Sequence, residues 1–302
     1  MTLDAGGTNF RFSAMRGNEP VTQTIAMPSG GDNLEKCLAN LVEGFNRVKA
    51  ACPAPPVAIS FAFPGPADYP NGVIGDLVNL PSFRGGIALG PMLEDKFGLP
   101  VFINNDGDLF VYGEAIAGFL PYVNGLLEKA GSLKRYHNLF GVTIGTGFGG
   151  GIARDGELFL GDNSMAGEIW ALRNKLNSLM TAEEGASIRA LQKIYAQEKG
   201  ISPHEAPDPA LIEQIATGKA PGDQAAAIEA YRRLGEVAGD AIANALTLID
   251  GLVVIGGGIS NGSKLFLPAL TKELNGFLMG KNAHQMLRRR ASTAFNLEEL
   301  DE

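Results

Sequence analysis

Cysteine is scarce in this chain: Cys37 and Cys52 are its two thiols. Two cysteines make no disulfide framework, and that fits a reducing, cytoplasmic setting. Cys37 falls on the apolar stripe of a helical pattern and reads as a small core residue. Histidine is equally sparse. His137, His204 and His284 lie far apart and form no pair at metal-ligand spacing, so no zinc site is expected. No uninterrupted apolar run reaches the ~18 residues that a membrane span needs. The start of the chain has neither a charged segment nor an apolar stretch of the kind that signals secretion. Basic residues are in deficit, with 25 Lys and Arg against 33 Asp and Glu and a net charge of −8. That balance argues against nucleic acid as a partner. The one basic run, Arg288-Arg289-Arg290, reads as a solvated helix face.

Glycine is what the chain has in abundance. The 40 glycines are roughly twice the usual share. They are not spread as a linker; they gather in "DAGGT", "GTGFGGG" and "VIGGGIS", at the ends of strand-like runs. Such clusters let backbone N–H groups approach a ligand closely. A chain of 302 residues with 45% hydrophobic content can fill about two domains.

Periodicity supplies the rest of the outline. Residues 1–14 read as strand, tight turn and strand. Residues 33–51 carry Leu34, Cys37, Leu38, Leu41, Val42, Phe45 and Val48 at helical spacing. "VAISFAF" (57–63) and "PVFIN" (100–104) read as strands buried on both faces. Asn71-Gly72 marks a hairpin. Residues 88–97 and about 107–119 read as helices, and 120–137 as an insertion or linker. "NLFGVTIGTGFGGGIARDGELFLG" then repeats the opening design, with Asp155-Gly156 turning the next hairpin. Helical patterns fill 182–200, 209–217 and 225–249. "GLVVIGGGIS" is a strand entering a glycine turn, and 262–279 reads as a helix. Strands alternate with helices throughout, which makes the class α/β. Two similar glycine hairpins, one early in each half, predict two related subdomains facing a cleft.

Taken alone, each motif admits a plain structural reading. "DAGGT" can be an ordinary hairpin with Asp4 satisfied by turn amides. "GTGFGGG" can be a structural turn; it is not a Walker A loop, because no Gly-Lys-Ser/Thr follows, and no acid about 20 residues on makes it a dinucleotide fingerprint. Asp106 can be a helix cap, or Asp108 can cap and leave Asp106 free. Glu183, beside Glu184, can be a solvated helix acid.

In order, however, "LDAGGTN", "PGPAD", "NDGD", "GTGFGGG", "AGEI" and "VIGGGIS" resemble the ROK family of sugar kinases and sugar-sensing repressors. These belong to the ATPase superfamily of actin, hexokinase and the heat-shock chaperones. The resemblance runs from residue 1 to about 275. It implies a two-domain, actin-like ATPase (ribonuclease H-like) fold with an interdomain cleft, divided into residues 1–115 and 116–302. It implies ATP and Mg²⁺ as cofactors, and phosphorylation of a hexose or hexose derivative at its 6-hydroxyl, as in glucokinases, fructokinases or N-acylhexosamine kinases. By this resemblance Asp106 is the catalytic carboxylate. A carboxylate beside an acceptor hydroxyl can take the proton it loses, and a helix N-terminus keeps that carboxylate ionised. Asp4 holds Mg²⁺ through water. Gly6, Gly7 and Thr8 form the first phosphate turn, and Gly145, Thr146 and Gly147 the second. Gly256, Gly257 and Gly258 lie against the adenosine. Asn105, Glu168 and Glu183 hold the sugar, since ionised carboxylates are acceptors that suit O–H donors. A small-molecule sugar is the expected partner, with no nucleic acid and no membrane, and there is room for a homodimer.

The chain also departs from that family. Trp170 and Ala171 occupy a position where many members have Gly-His, and the following "LRNKLNSLMT" has none of the cysteines of the family's zinc loop. The expectation is a sugar site that lacks one imidazole, reshaped for a hexose other than plain glucose. The first strand and the C-terminal end look short beside the family pattern. A sugar-responsive repressor and a catalytically weak sugar- or nucleotide-binding protein are the alternatives.

Overall fold

The computed structural model describes residues 1–6, 8–17, 19–63, 67–77, 80–280 and 286–299. The chain divides into two compact units, Met1–Leu109 and Phe110–Glu302.

The first unit is built on a five-stranded sheet. Its strands are β1 (Thr2–Ala5), β2 (Asn9–Ser13), β5 (Ile25–Pro28), β6 (Ile59–Ala62) and β10 (Val101–Asn104), in the order β10-β6-β1-β2-β5. Strand β2 runs antiparallel to both β1 and β5, whereas β6 runs parallel to β1 and β10 parallel to β6. A short ribbon, β3 (Met15–Arg16) with β4 (Glu19–Pro20), and a small sheet of β7 (Ala67–Asp68), β8 (Val73–Ile74) and β9 (Ile87–Ala88) decorate it. The β7–β8 hairpin turns at the expected Asn71-Gly72, with Gly72 at φ +64°.

Helix α1 (Leu34–Ala51) covers this sheet. Asn33 caps it by accepting from the Lys36 N–H at 2.9 Å, with Glu35 in its first turn and Lys49 in its last, each matched to the helix dipole. The predicted apolar stripe faces inward: Cys37, Leu41, Phe45 and Val48 are buried. They meet Phe10 and Phe12, the inward residues of β2, whose neighbours Asn9 and Arg11 are exposed. A run of aromatic contacts continues through the core, with ring centroids 5.1 Å apart for Phe12–Phe45, 5.8 Å for Phe45–Phe61 and 5.4 Å for Phe63–Phe83. Each buried phenylalanine contributes about 1.5–3 kcal/mol of transfer free energy.

Strands β6 and β10 correct the reading of both as buried on two faces. Ser60 alternates outward between the buried Ile59 and Phe61, and β10 is an edge strand with Phe102 exposed. A run of apolar letters does not tell one covered face from two.

Helix α2 (Leu89–Phe97) precedes β10, and α3 (Asp106–Ile116) follows it. The units divide within α3, ahead of the 115/116 position read from the sequence, because Val111 and Ala115 pack with Leu120, Leu139 and Ala153 of the second unit. The stretch read as a linker is in part helical. Helix α4 (Phe119–Lys129) buries Leu120 and Val123, and Pro121 sits in its first turn, where a missing N–H costs nothing.

The second unit holds β11 (Asn138–Ile144), β12 (Phe148–Arg154), β13 (Glu157–Leu158) and β14 (Leu252–Gly256), in the order β13-β12-β11-β14. Its directions repeat those of β5-β2-β1-β6: two antiparallel pairings, then a parallel one. Asp155 (φ 52°) and Gly156 (φ 83°) turn the β12–β13 hairpin as expected. Where the first unit has α1, the second inserts α5 (Ile188–Lys199), α6 (Pro209–Ala216) and α7 (Gln224–Ile249). Helix α8 (Ser263–Leu274) ends earlier than the helix read over 262–279. The chain then forms a ribbon of β15 (Phe277–Met279) and β16 (Met286–Arg288). The basic run is therefore not a solvated helix face. The Arg289 side chain is only 8% exposed, with Nη1 2.7 Å from Asp240 and 3.5 Å from Glu273.

Candidate functional site

In the second unit, β11 ends at Ile144 and β12 begins at Phe148, so Gly145, Thr146 and Gly147 form a three-residue turn. The Gly145 N–H donates to the Gly147 carbonyl at 2.9 Å, and the Ile188 N–H, at the start of α5, donates to the Gly145 carbonyl at 2.8 Å. Strand β14 lies beside β11 and delivers Gly256, Gly257 and Gly258 next to the same turn. The Ile259 N–H donates to the Ile144 carbonyl at 3.1 Å, and a Cβ on Gly145 would stand 3.7 Å from the Gly258 nitrogen. Gly257 has φ +96°, and a Cβ there would fall 2.4 Å from the Ile144 carbonyl oxygen. Glycine is required at this point by both conformation and space. Ser187 caps α5 through its hydroxyl, accepting from the Ala190 N–H. Two bare glycine turns and a helix N-terminus thus converge, with Thr146, Gly257 and Gly258 exposed. Clustered N–H groups and a helix N-terminus of this kind donate to anionic oxygens.

The equivalent turn of the first unit lies between β1 and β2. Gly6 and Thr8 are in it, and Gly7 lies outside the described residues, as does Pro64-Gly65-Pro66 of "PGPAD". The Thr8 carbonyl accepts from the Ser29 N–H at 2.9 Å. Asp4 is exposed on β1, directly across from Arg11 on β2, with Oδ2 3.8 Å from Nη1. Among the described residues no three His, Cys, Asp or Glu side chains gather as a metal cluster.

The "NNDGD" stretch sits where β10 meets α3. The Asn105 carbonyl accepts from the Leu109 N–H at 3.0 Å. The Gly107 N–H, in the first turn of the helix, is shared by Asn105 Oδ1 at 2.8 Å and Asp106 Oδ1 at 2.9 Å. Asparagine and aspartate both suit such a helix start. Asp106 is the first residue of the helix and is exposed, whereas Asp108 is buried. Asn105 also donates through Nδ2 to the Tyr69 hydroxyl at 3.4 Å, and Tyr69 in turn donates to the Phe63 carbonyl at 3.0 Å. A tyrosine in "PADYP" carries no sequence pattern that points to this role.

Glu168 and Glu183 both belong to the second unit. Glu168 precedes a short helical turn, Ile169–Ala171, and accepts a hydrogen bond from the Trp170 indole N–H. It lies at a groove of about 590 Å³ lined by Phe159, Met165, Leu172 and Leu248 among others. Glu183 stands at the far end of the next loop, with Oε2 accepting from the Phe148 N–H at 3.1 Å.

The cysteine-free loop between them is held by its own polar groups. Asn174 is buried, and its Oδ1 accepts from the Leu176 and Asn177 N–H groups. Arg173 bridges to Thr181. Lys175 pairs with Glu236 of α7 at 3.0 Å and with Glu273 of α8. These hydrogen bonds raise the lysine's pKa against the burial that lowers it.

Comparison with known proteins places this arrangement. The family model described as "ROK family" matches residues 1–296. The crystal structure of a glucokinase from Parabacteroides distasonis is 59% identical in sequence, superposes with a TM-score of 0.86, and covers 91% of this chain and 77% of its own. An N-acetyl-D-glucosamine kinase of Vibrio parahaemolyticus is 29% identical over 279 residues, covering 86% of this chain and 84% of that protein. A glucokinase of Streptomyces coelicolor is 27% identical over 301 residues, covering 93% and 88%. With matching strand order in both units and a family match across nearly its whole length, the chain belongs to the ROK family and has that family's actin-like ATPase fold.

Proposed function

We propose that this protein is an ATP-dependent sugar kinase that transfers the γ-phosphoryl group of ATP to a hydroxyl of a hexose or hexose derivative, at the 6-position. The observation that carries this reading is the repeated glycine turn. It occurs at the same place, between the first and second strands, in both units. The names of the relatives, glucokinase and N-acetyl-D-glucosamine kinase, support the substrate class.

In this reading Gly6, Gly7, Thr8, Gly145, Thr146 and Gly147 supply N–H and hydroxyl donors to phosphate oxygens. Gly256, Gly257 and Gly258 offer flat backbone to the nucleoside. Asp4 suits Mg²⁺, which keeps most of its water and needs only one or two carboxylates; the ion supplies charge neutralisation on the phosphates. Asp106 takes the proton of the acceptor hydroxyl as its oxygen bonds to phosphorus and the bond to the ADP oxygen breaks. Exposure at the first position of α3 leaves that carboxylate reachable. Asn105 and Glu168 hold sugar hydroxyls, Asn105 through the donor not given to Tyr69. The missing imidazole at Ala171 points to a modified hexose, while the 59% identical relative is a glucokinase. Glucose and N-acetylglucosamine are therefore the first pair to compare.

The test is a coupled ADP-release screen over hexoses, hexosamines and N-acyl amino sugars with ATP and Mg²⁺. Saturable, sugar-dependent ADP release is expected. No sugar-dependent release across the whole panel would overturn the assignment.

A further inference from the structure

The Asn71-Gly72 hairpin does more than reverse the chain. Tyr69 opens that turn: the Gly72 N–H donates to its carbonyl at 3.0 Å, Pro70 follows it, and Asp68 accepts from the Asn71 side chain at 2.9 Å. The Tyr69 ring packs against the core of the first unit. Backbone and ring are both fixed, and the hydroxyl is delivered to the place where β6 and β10 end and α3 begins. There it donates to the Phe63 carbonyl at 3.0 Å. A phenol has one proton, so toward Asn105 the same oxygen can only accept, and it does so from Nδ2 at 3.4 Å. Phe63 is tied in its turn, with its N–H donating to the Asn104 carbonyl at 3.0 Å. These bonds close a ring, from Asn104 to Phe63, from Phe63 to Tyr69, and from Tyr69 to Asn105, the next residue along the chain.

The amide of Asn105 is also held at its other end, where Oδ1 accepts from the Gly107 N–H at 2.8 Å. With Oδ1 on the helix and one hydrogen of Nδ2 on Tyr69, the amide plane has an anchor at each polar atom. The second hydrogen of Nδ2 is thereby set in direction. With Gly107 as its one anchor, the plane could swing about that bond. We propose that Tyr69 is a positioning residue for sugar binding: its hydroxyl aims the second Asn105 N–H at a sugar oxygen, without itself touching the substrate. This rests on the reading of Asn105 as a sugar contact given above. Tyr69→Phe removes the hydroxyl and keeps the ring in the core and the hairpin, so it isolates the claim.

The experiment is a double-mutant cycle of Tyr69→Phe and Asn105→Ala. Sugar and ADP binding are measured separately by calorimetry, with steady-state kinetics and thermal melts beside them. The sugar is the one of the screening panel that the parent turns over best, with glucose and N-acetylglucosamine tried first. Tyr69→Phe is expected to raise Kd and KM for the sugar about tenfold, the scale of one lost hydrogen bond, with kcat and ADP affinity at the parental value. A change confined to KM is the mark of a contact made equally in the ground and transition states. In the Asn105→Ala background, Tyr69→Phe should weaken sugar binding no further. Parental sugar affinity in Tyr69→Phe, the same loss with and without Asn105, or an equal fall in sugar and ADP affinity would each overturn the proposal. If the parent turns over no sugar of the panel, the kinase reading fails on its own, and the Asn105 side-chain amide decides this proposal. Its NH₂ signals in the nuclear magnetic resonance spectrum of isotope-labelled protein are those missing from Asn105→Ala. Signals that shift and exchange faster with water in Tyr69→Phe support the positioning, and signals that Tyr69→Phe leaves unmoved overturn it.

Discussion

Replacing Gly257 with alanine puts a methyl group against backbone that cannot step aside. The new Cβ would lie 2.4 Å from the Ile144 oxygen, 2.6 Å from its nitrogen and 2.7 Å from its carbonyl carbon, all of them atoms of β11. No rotamer relieves a clash with backbone. The residue also sits at φ +96°, and such a conformation costs a side-chain-bearing residue about 1–3 kcal/mol. Relief requires the turn to move off β11, which breaks the Ile259 N–H bond to the Ile144 carbonyl at a further ~1 kcal/mol. A total near 3 kcal/mol should lower the melting temperature by roughly 6–12 °C for a unit of this size. The two neighbouring glycines serve as internal controls. A Cβ on Gly256 meets the Phe110 ring at 2.7 Å, a side chain that can yield, and one on Gly258 finds nothing nearer than Ile188 Cδ1 at 3.9 Å. Calorimetric or fluorescence melts of the three alanine variants should therefore rank Gly257 as most damaging, Gly256 intermediate and Gly258 near parent. A Gly257→Ala variant that melts with the parent, or a Gly258→Ala variant that falls furthest, would refute the reasoning.

Other outcomes follow from the same geometry. Asp106→Asn should lower kcat by about 10²-fold or more, the scale of general-base catalysis, with the melting temperature unchanged; near-parental turnover removes Asp106 from the mechanism. Trp170 is the chain's single tryptophan and donates to Glu168, so its emission should shift when the sugar is added and stay constant with ADP alone. Trp170→Phe should raise KM for the sugar about tenfold through the lost hydrogen bond; an unchanged KM counts against Glu168 as a sugar contact. Glu229 is held down to about 2 from an ordinary 4.5 by its hydrogen bond from Arg232, with Arg233 adding to it against the opposing effect of burial. Its folded-state value lies below the unfolded one, so its contribution is present above pH 4.5 and lost as pH falls toward 2. Urea melts of parent and Glu229→Gln should differ at pH 7 and converge near pH 2; an equal gap at both refutes the assignment.

Much of this architecture was legible because its signals are local. Alternating Phe10 and Phe12, the stripe from Leu34 to Val48, and the Asn71-Gly72 and Asp155-Gly156 turns each encode their element within a few residues. What the letters hid depends on neighbours distant in sequence. "PVFIN" looks like a central strand, yet only the sheet order makes β10 an edge. Residues 119–129 have a proline, an asparagine and a glycine that dilute a helical pattern, and α4 forms because Leu120 packs with Leu139 and Ala153. Arg289 looked solvated beside two other arginines until Asp240 and Glu273 closed over it. At the candidate site the glycine clusters announced themselves. The partners that orient them did not: Tyr69 behind Asn105 and Arg189 behind Glu183 are single residues without a motif, brought close by folding alone.

Helices α7 and α8 gather three carboxylates along their contact, from Glu236, Asp240 and Glu273, and the cations that answer them, apart from Arg232 on α7 itself, come from elsewhere in the chain. Lys175 arrives from the loop beneath Glu168, and Arg289 from the segment after the terminal ribbon. The helix pair is in this sense an unfinished electrostatic object that two remote strings of sequence complete. Removing either cation leaves like charges facing one another in a half-dry setting, and such a loss is felt beyond the pair that made the contact. The loop beside the candidate sugar acid and the far end of the chain are thereby tied to one account of charge. Ionic strength is the variable that should loosen them together.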